Sequence, residues 1–182
     1  MNVWFKGLAI LAVGAQLATR AVSAQTPFQF GLGAGLSIPT GTTGDGLKTG
    51  WHATGLVQFS PARSPVGFQI DASYRQLGFD GGGGKDQIID GTANAVYSFA
   101  VAKETQFRPY LIGGVGVYNV KAKPDVGPSP SDTKFGINAG AGFNFASSGV
   151  GFFVEARFHD VFVEGSDFHF IPITAGVRFG GS

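Results

Sequence analysis

From Val66 to Leu77 the chain reads VGFQIDASYRQL. Val66, Phe68, Ile70, Ala72 and Tyr74 share one parity, and Gln69, Asp71, Ser73 and Arg75 the other. Strict alternation over this length predicts a β-strand with two unlike faces. Seven further segments carry the same pattern. The first, about Phe28 to Ile38, sets Phe28, Phe30, Leu32, Ala34, Leu36 and Ile38 against Gln29, Ser37 and three glycines. The second, about Thr49 to Ser60, sets Trp51, Ala53, Val57 and Phe59 against His52, Thr54, Gln58 and Ser60. After the opening stretch comes a fourth, about Ile88 to Phe99, with Ile89, Ala93, Ala95, Tyr97 and Phe99 opposing Asp90, Thr92, Asn94 and Ser98.

The fifth, about Phe107 to Val120, is apolar on both parities: Phe107, Leu111, Val115 and Val117 form one face and Tyr110, Gly114, Gly116 and Tyr118 the other. The sixth, Phe135 to Phe145, alternates cleanly between apolar residues and Asn138, Gly140, Gly142 and Asn144. In the seventh, about Val150 to Val161, Phe152, Val154, Ala156 and Phe158 oppose Glu155, Arg157 and His159. The eighth, about Phe170 to Phe179, sets Ile171, Ile173, Ala175, Val177 and Phe179 against Thr174, Gly176 and Arg178.

Two architectures accept such strands. A soluble sandwich turns the apolar face to a protein core. A membrane barrel inverts it, with apolar side chains on lipid and polar ones inside. The connections favour the second. PTGTTGDGLK, GFDGGGGKDQ, KAKPDVGPSPSDT and FVEGSDFH are long or turn-rich and alternate with the tighter PARSP, AVAKETQ and ASSG. Long loops at one end and short turns at the other fit a barrel with both termini on the periplasmic side. If odd strands run outward, every strand also places a phenylalanine at its periplasmic end on the apolar parity: Phe28, Phe59, Phe68, Phe99, Phe107, Phe145, Phe152 and Phe179. Such a ring is an interfacial aromatic girdle. Trp51, Tyr74, Phe135 and Phe158 begin a second one. The fold expected is therefore all-β, an eight-stranded antiparallel up-and-down transmembrane β-barrel.

The N-terminus fits this compartment. MNVWFK carries one charge, Gly7 to Ala18 is apolar, and Ala21-Val-Ser-Ala24 offers small residues. This is the layout of a signal peptide over residues 1–24, leaving residues 25–182 as the barrel domain. The apolar run is shorter than the roughly 20 residues a spanning helix needs. Of 13 basic and 12 acidic residues, Lys6 and Arg20 lie in that leader, so the remainder has 11 basic and 12 acidic, net −1. Bulk charge thus gives no basis for nucleic-acid binding. With no cysteine, neither a disulfide framework nor a thiolate site exists.

FRPYLIGGVGVY (Phe107 to Tyr118), FFVEARFHDVF (Phe152 to Phe162) and IPITAGVRF (Ile171 to Phe179) resemble strands of the small eight-stranded outer-membrane barrels, of the OmpX type and the OmpA transmembrane domain. The likeness spans essentially residues 25–180. Family members usually end on the aromatic of the last strand; here Gly180, Gly181 and Ser182 follow Phe179. The resemblance implies an outer-membrane location, lipid as the main partner, and adhesion, envelope integrity or host contact through four external loops.

An eight-stranded interior is just wide enough for its own side chains. Inward parity sends Gln69, Asp71, Arg75, Asp90, Asn94, Glu155, Arg157 and Arg178 there, both signs together, and a paired plug is expected because an unpaired buried charge costs several kcal/mol. The inward glycines leave room for cavities, which sustains the alternative of a narrow pore for ions or small solutes. A further alternative is a lipid A-modifying enzyme. Barrel lipid A deacylases resemble this fold and carry a His-x-Ser pair, whereas here the histidines read His52-Ala-Thr54, His159-Asp-Val161 and His169-Phe-Ile171. His159 and Asp160 are strand neighbours and face opposite ways, so rim hydrogen bonding is the expectation for them. A soluble periplasmic barrel enclosing an apolar ligand is the last alternative.

Gly81 to Ile88 (GGGGKDQI) fails as a phosphate loop, with Phe79 in place of the first glycine and Asp86 in place of Ser or Thr. It matches one copy of a calcium nonapeptide, a motif that works by stacking copies. Gly31-Leu-Gly-Ala-Gly35 lies on a strand with no helix after it, so a dinucleotide site is not expected. The expectation is a non-enzymatic, monomeric barrel with no cofactor, metal or catalytic residue.

Overall fold

The computed structural model describes residues 28–41, 46–101, 107–147, 150–163 and 166–180. Eight strands follow one another: β1 (Phe28–Thr40), β2 (Gly50–Phe59), β3 (Val66–Gly78), β4 (Gly84–Ser98), β5 (Phe107–Pro124), β6 (Ser131–Ser147), β7 (Val150–Val163) and β8 (Ser166–Gly180). Each pairs antiparallel with the next, and β1 pairs with β8, closing a barrel. Closure leaves no free edge, the condition for placing strands in hydrocarbon. The leader expected over residues 1–24 lies outside the described residues.

The register fixes the barrel's girth. A path straight across the pairs from Gln29 passes Gln58, Gln69, Asn94, Gly114, Asn138, His159 and Phe170. It returns to β1 at Pro39, ten residues further along. With eight strands, that stagger tilts them by about 40° and leaves an interior that side chains fill.

The faces sort as a lipid-embedded barrel requires. Phe68 and Ile70 are 60% and 66% exposed on the outside, while Asp71 and Arg157 are 4% and 7% exposed within. Seven of the eight girdle phenylalanines lie at the ends of their strands expected to be periplasmic, and Phe99 follows the last residue of β4. Among them Phe28 packs on Phe59, and Phe107 on Phe145, at centroid distances of 5.1 and 5.3 Å. Toward the other end Trp51 packs on Tyr74 at 5.5 Å. Trp51 stands eight residues from Phe59 on β2. At a rise of roughly 3.3 Å and this tilt the two belts are about 20 Å apart, close to the apolar band of roughly 25 Å that outer-membrane barrels present.

Several strands outrun their sequence bounds. β4 begins at Gly84, β5 continues to Pro124 and β6 begins at Ser131, so the third external connection shrinks to residues 125–130. The glycine-rich stretch divides accordingly. Gly81, Gly82 and Gly83 make a turn with φ between 85° and 87°, a backbone region open to glycine at little cost. Gly84 to Ile88 are strand, with Asp86 paired to Ala122. Between the first two external connections, Leu47 bridges Phe79, and Lys48 N donates to Gly78 O at 2.7 Å.

Candidate functional site

The interior is layered. At mid-height Arg157 donates through Nη1 and Nη2 to the two Asp71 carboxylate oxygens (2.9 and 3.3 Å) and through Nε to Glu155 (2.5 Å). Asp71 also accepts from Gln69 Nε2 (2.8 Å), Thr92 Oγ1 (3.1 Å) and Asn94 Nδ2 (2.6 Å). Asn138 Nδ2 extends the network to Asn94 Oδ1 at 2.9 Å, and Tyr110 donates its hydroxyl to Glu155 at 2.8 Å. Toward the outer end Arg75 grips Asp90 through Nε and Nη2 at 3.0 and 2.7 Å. Toward the periplasmic end Arg178 donates to Gln58 Oε1 and Gln69 Oε1, and its guanidinium lies 4.8 Å from the Phe153 ring centre.

The structure thus places all eight polar residues named from the sequence inside and joins six of them in one chain of contacts; Arg75 and Asp90 form a pair of their own. Three buried arginines face three buried carboxylates. Charges withdrawn from water need such matching, because an uncompensated one is strongly unfavourable.

Further polar groups line the same space. His52 bridges Ser37 (3.1 Å) and Thr174 (2.9 Å), and the Tyr118 hydroxyl meets His159 Nδ1 at 2.9 Å. The rim role expected for His159 is therefore corrected. It is buried inside the barrel and stacked on Phe170 at 4.7 Å. These groups share the inward parity of the charged residues, and that parity is their signal in the sequence.

The apolar part of the interior was not legible from alternation. Leu77, Ile88, Tyr118, Val161, Phe168 and Phe170 form a buried cluster, with Leu47 packed against it. By strand direction all of them lie at the external mouth. Val96, Tyr110 and Ile112 form a second cluster toward the periplasmic end. Several inward glycines do not leave the expected voids, because rings fill the space beside them. A Cβ on Gly142 would stand 2.5 Å from the Tyr110 ring, one on Gly176 2.5 Å from Phe153, and one on Gly136 2.9 Å from Tyr118. A cavity of about 20 Å³ lies beside His52, Asp71, Arg75 and Arg157, room for about one water.

On the outside, Asp160 and His169 face each other across β7 and β8, with Oδ1 and Nε2 3.1 Å apart. Thr40 is the β1 partner of His169, and its hydroxyl is buried without a hydrogen-bond partner. Among the described residues no group of three or more His, Asp or Glu side chains is arranged to hold a metal.

A closed antiparallel barrel with an apolar exterior, two aromatic belts and an ion-paired interior defines a transmembrane barrel of the outer membrane. The chain belongs to the outer membrane protein beta-barrel domain family, whose model matches residues 8–179. Its fold is similar to that of Neisserial surface protein A (NspA), at 16% identity and TM-score 0.71, over 86% of this chain and 99% of that one. It is also similar to Ail, the attachment invasion locus protein of Yersinia pestis (19% identity, TM-score 0.54, 85% and 99%). The outer membrane enzyme PagL shares the fold at 17% identity and TM-score 0.52, over 84% and 99%. No curated protein matches the sequence.

Proposed function

We propose that this chain is a non-enzymatic, monomeric outer-membrane barrel whose interior is a structural plug and whose work is done by its outer surface and external loops. The observation that carries this reading is the external apolar cluster of Leu77, Ile88, Tyr118, Val161, Phe168 and Phe170, which caps the charged network. Ions crossing the barrel would have to break matched buried pairs and pass an apolar layer, each step costing several kcal/mol. A plug of this kind holds the wall rigid and presents the loops at a fixed height. Ail, a relative in fold, has been solved in complex with the heparin analogue sucrose octasulfate, which is in keeping with a surface-contact role for this chain. The test is planar-bilayer recording of the refolded protein. Steady silence over repeated insertions is the expected result, and discrete unitary steps would replace this reading with the pore.

A second reading rests on Asp160, His169 and Thr40, set side by side on the outward face of three adjacent strands at the outer rim. An acid-oriented histidine on the strand next to a hydroxyl is the start of the arrangement an acyl hydrolase of membrane lipid requires, and the Thr40 hydroxyl would have to turn toward His169 to complete it. Lipid A mass spectra from cells expressing the wild type and His169→Ala decide it. Identical spectra are expected under the non-enzymatic reading, and an acyl loss that needs His169 would establish the enzyme.

A further inference from the structure

The outward face of β4, β5 and β6 changes character at a sharp boundary. Its last apolar side chains are Ile89, Val117 and Phe135, all well exposed toward lipid. The next outward residues on the same strands are Gln87, Asn119 and Thr133, with Asn119 bonded to Thr133 at 3.0 Å. Beyond them on that face stand Lys85, Lys121 and Lys123. Lys85 and Lys123 are directly opposed across the β4–β5 ladder, and Lys121 opposes Gln87.

Directly opposed like charges destabilise a sheet, and no salt bridge among the described residues compensates these. The salt bridges of the other lysines here join Lys48 to Asp80 and Lys134 to Asp132. None of the three has an acidic partner among the described residues. Asp86 sits between them in sequence but has the opposite, inward parity, and Asp125 lies in the turn beyond β5.

Height supplies the second argument. Lys121 is four residues beyond Val117 on a tilted strand, so its backbone stands about 10 Å above the last apolar rung. A lysine stem spans several ångströms and lets the ammonium reach down to the head-group layer.

We infer that Lys85, Lys121 and Lys123 form a binding site for the phosphate groups of an outer-leaflet glycolipid. The shared chemistry is phosphate recognition by three clustered ammonium groups, with the Gln87 amide beside them, which donates to the Tyr74 hydroxyl at 2.6 Å. A bound phosphate removes the Lys85–Lys123 repulsion and fixes this sector of the barrel at the membrane boundary. The inference rests on the outer-membrane location alone, not on whether the interior conducts. Channel recordings with unitary steps would leave it standing.

The experiment titrates the refolded full-length protein in detergent with bisphosphorylated lipid A, with its dephosphorylated form and with inorganic pyrophosphate, read by native mass spectrometry. The phosphorylated lipid is expected to bind at least tenfold more tightly than the other two. Lys85→Gln/Lys121→Gln/Lys123→Gln should lose at least tenfold, the corresponding triple Arg variant should stay within threefold, and Lys48→Gln should behave as wild type. A heat-modifiable gel shift checks that each variant is folded. The inference is overturned if the triple Gln variant keeps its affinity, if Lys48→Gln weakens binding as much, or if dephosphorylated lipid A binds equally. It is overturned as a lipid site if pyrophosphate binds as tightly as the lipid.

Discussion

Arg157 holds two carboxylates at once, and its removal shows what the interior network is worth. With Asp71 and Glu155 both buried, Arg157→Ala leaves two negative charges sharing a space that Arg75 and Arg178 do not neutralise. We expect a loss of about 3–5 kcal/mol in urea unfolding from lipid vesicles. Replacing all three together, as Asp71→Asn/Glu155→Gln/Arg157→Met, removes the charges instead of orphaning them and should cost far less. A triple variant as unstable as the single one would mean that shape, not charge matching, dominates at this level. Gly142 tests the filling of the interior in the same way. An added methyl would meet the Tyr110 ring at 2.5 Å and the Val154 carbonyl at 2.7 Å. Gly142→Ala should therefore cost about 1–3 kcal/mol, and Tyr110→Leu should recover part of it in a double-mutant cycle. Full additivity would show that the ring is not what occupies the glycine's space.

At the scale of the strand, the alternation that sorts lipid from interior makes a positional prediction. Ala72 lies on the outward face about midway between the two aromatic belts, so Ala72→Arg should destabilise the barrel by about 2–4 kcal/mol. Thr133→Arg, on the same kind of face but above the last apolar rung, should cost only about 0–1 kcal/mol. Equal losses in vesicle unfolding would contradict the boundary drawn through Val117 and Phe135. This part of the fold was legible because lipid imposes a strict rule on one parity and leaves marks such as the phenylalanine at each periplasmic strand end. The interior imposes a looser rule. Ile88, Phe153 and Phe170 face inward although apolar, since a filled interior selects for volume as well as polarity, and alternation alone cannot assign them. Above the membrane neither rule holds. KDQ before Ile88 and SDTK before Phe135 are polar on both parities, and KAK after Val120 sets two lysines against a lone alanine, so the strands lose their sequence signature while their backbones go on pairing. The Asp160–His169 contact was hidden for another reason. It joins two strands, and only the register shows that the acid next to His159 belongs to His169 instead.

For the whole molecule, the question is how many barriers an ion meets between the two mouths. The layering gives three in series: the apolar cluster at the external end, the ion-paired network at mid-height, and the group of Val96, Tyr110 and Ile112 toward the periplasm. Barriers in series block independently, so opening one should not produce a conductance. Phe168→Ala/Phe170→Ala thins the external cluster and Tyr110→Ala thins the inner one, yet each alone leaves the Arg157–Asp71 and Arg75–Asp90 pairs across the lumen. Both sets of truncations combined with Arg157→Ala remove part of every layer and admit water along the lumen. We expect silent recordings from the wild type and from each partial variant, and brief unitary steps only from the full combination, checked as folded by its heat-modifiable shift. Steps from Phe168→Ala/Phe170→Ala alone would place the entire seal in the external cluster and make the charged network a path lining. The loops above that cluster would then gate the barrel as well as present its surface.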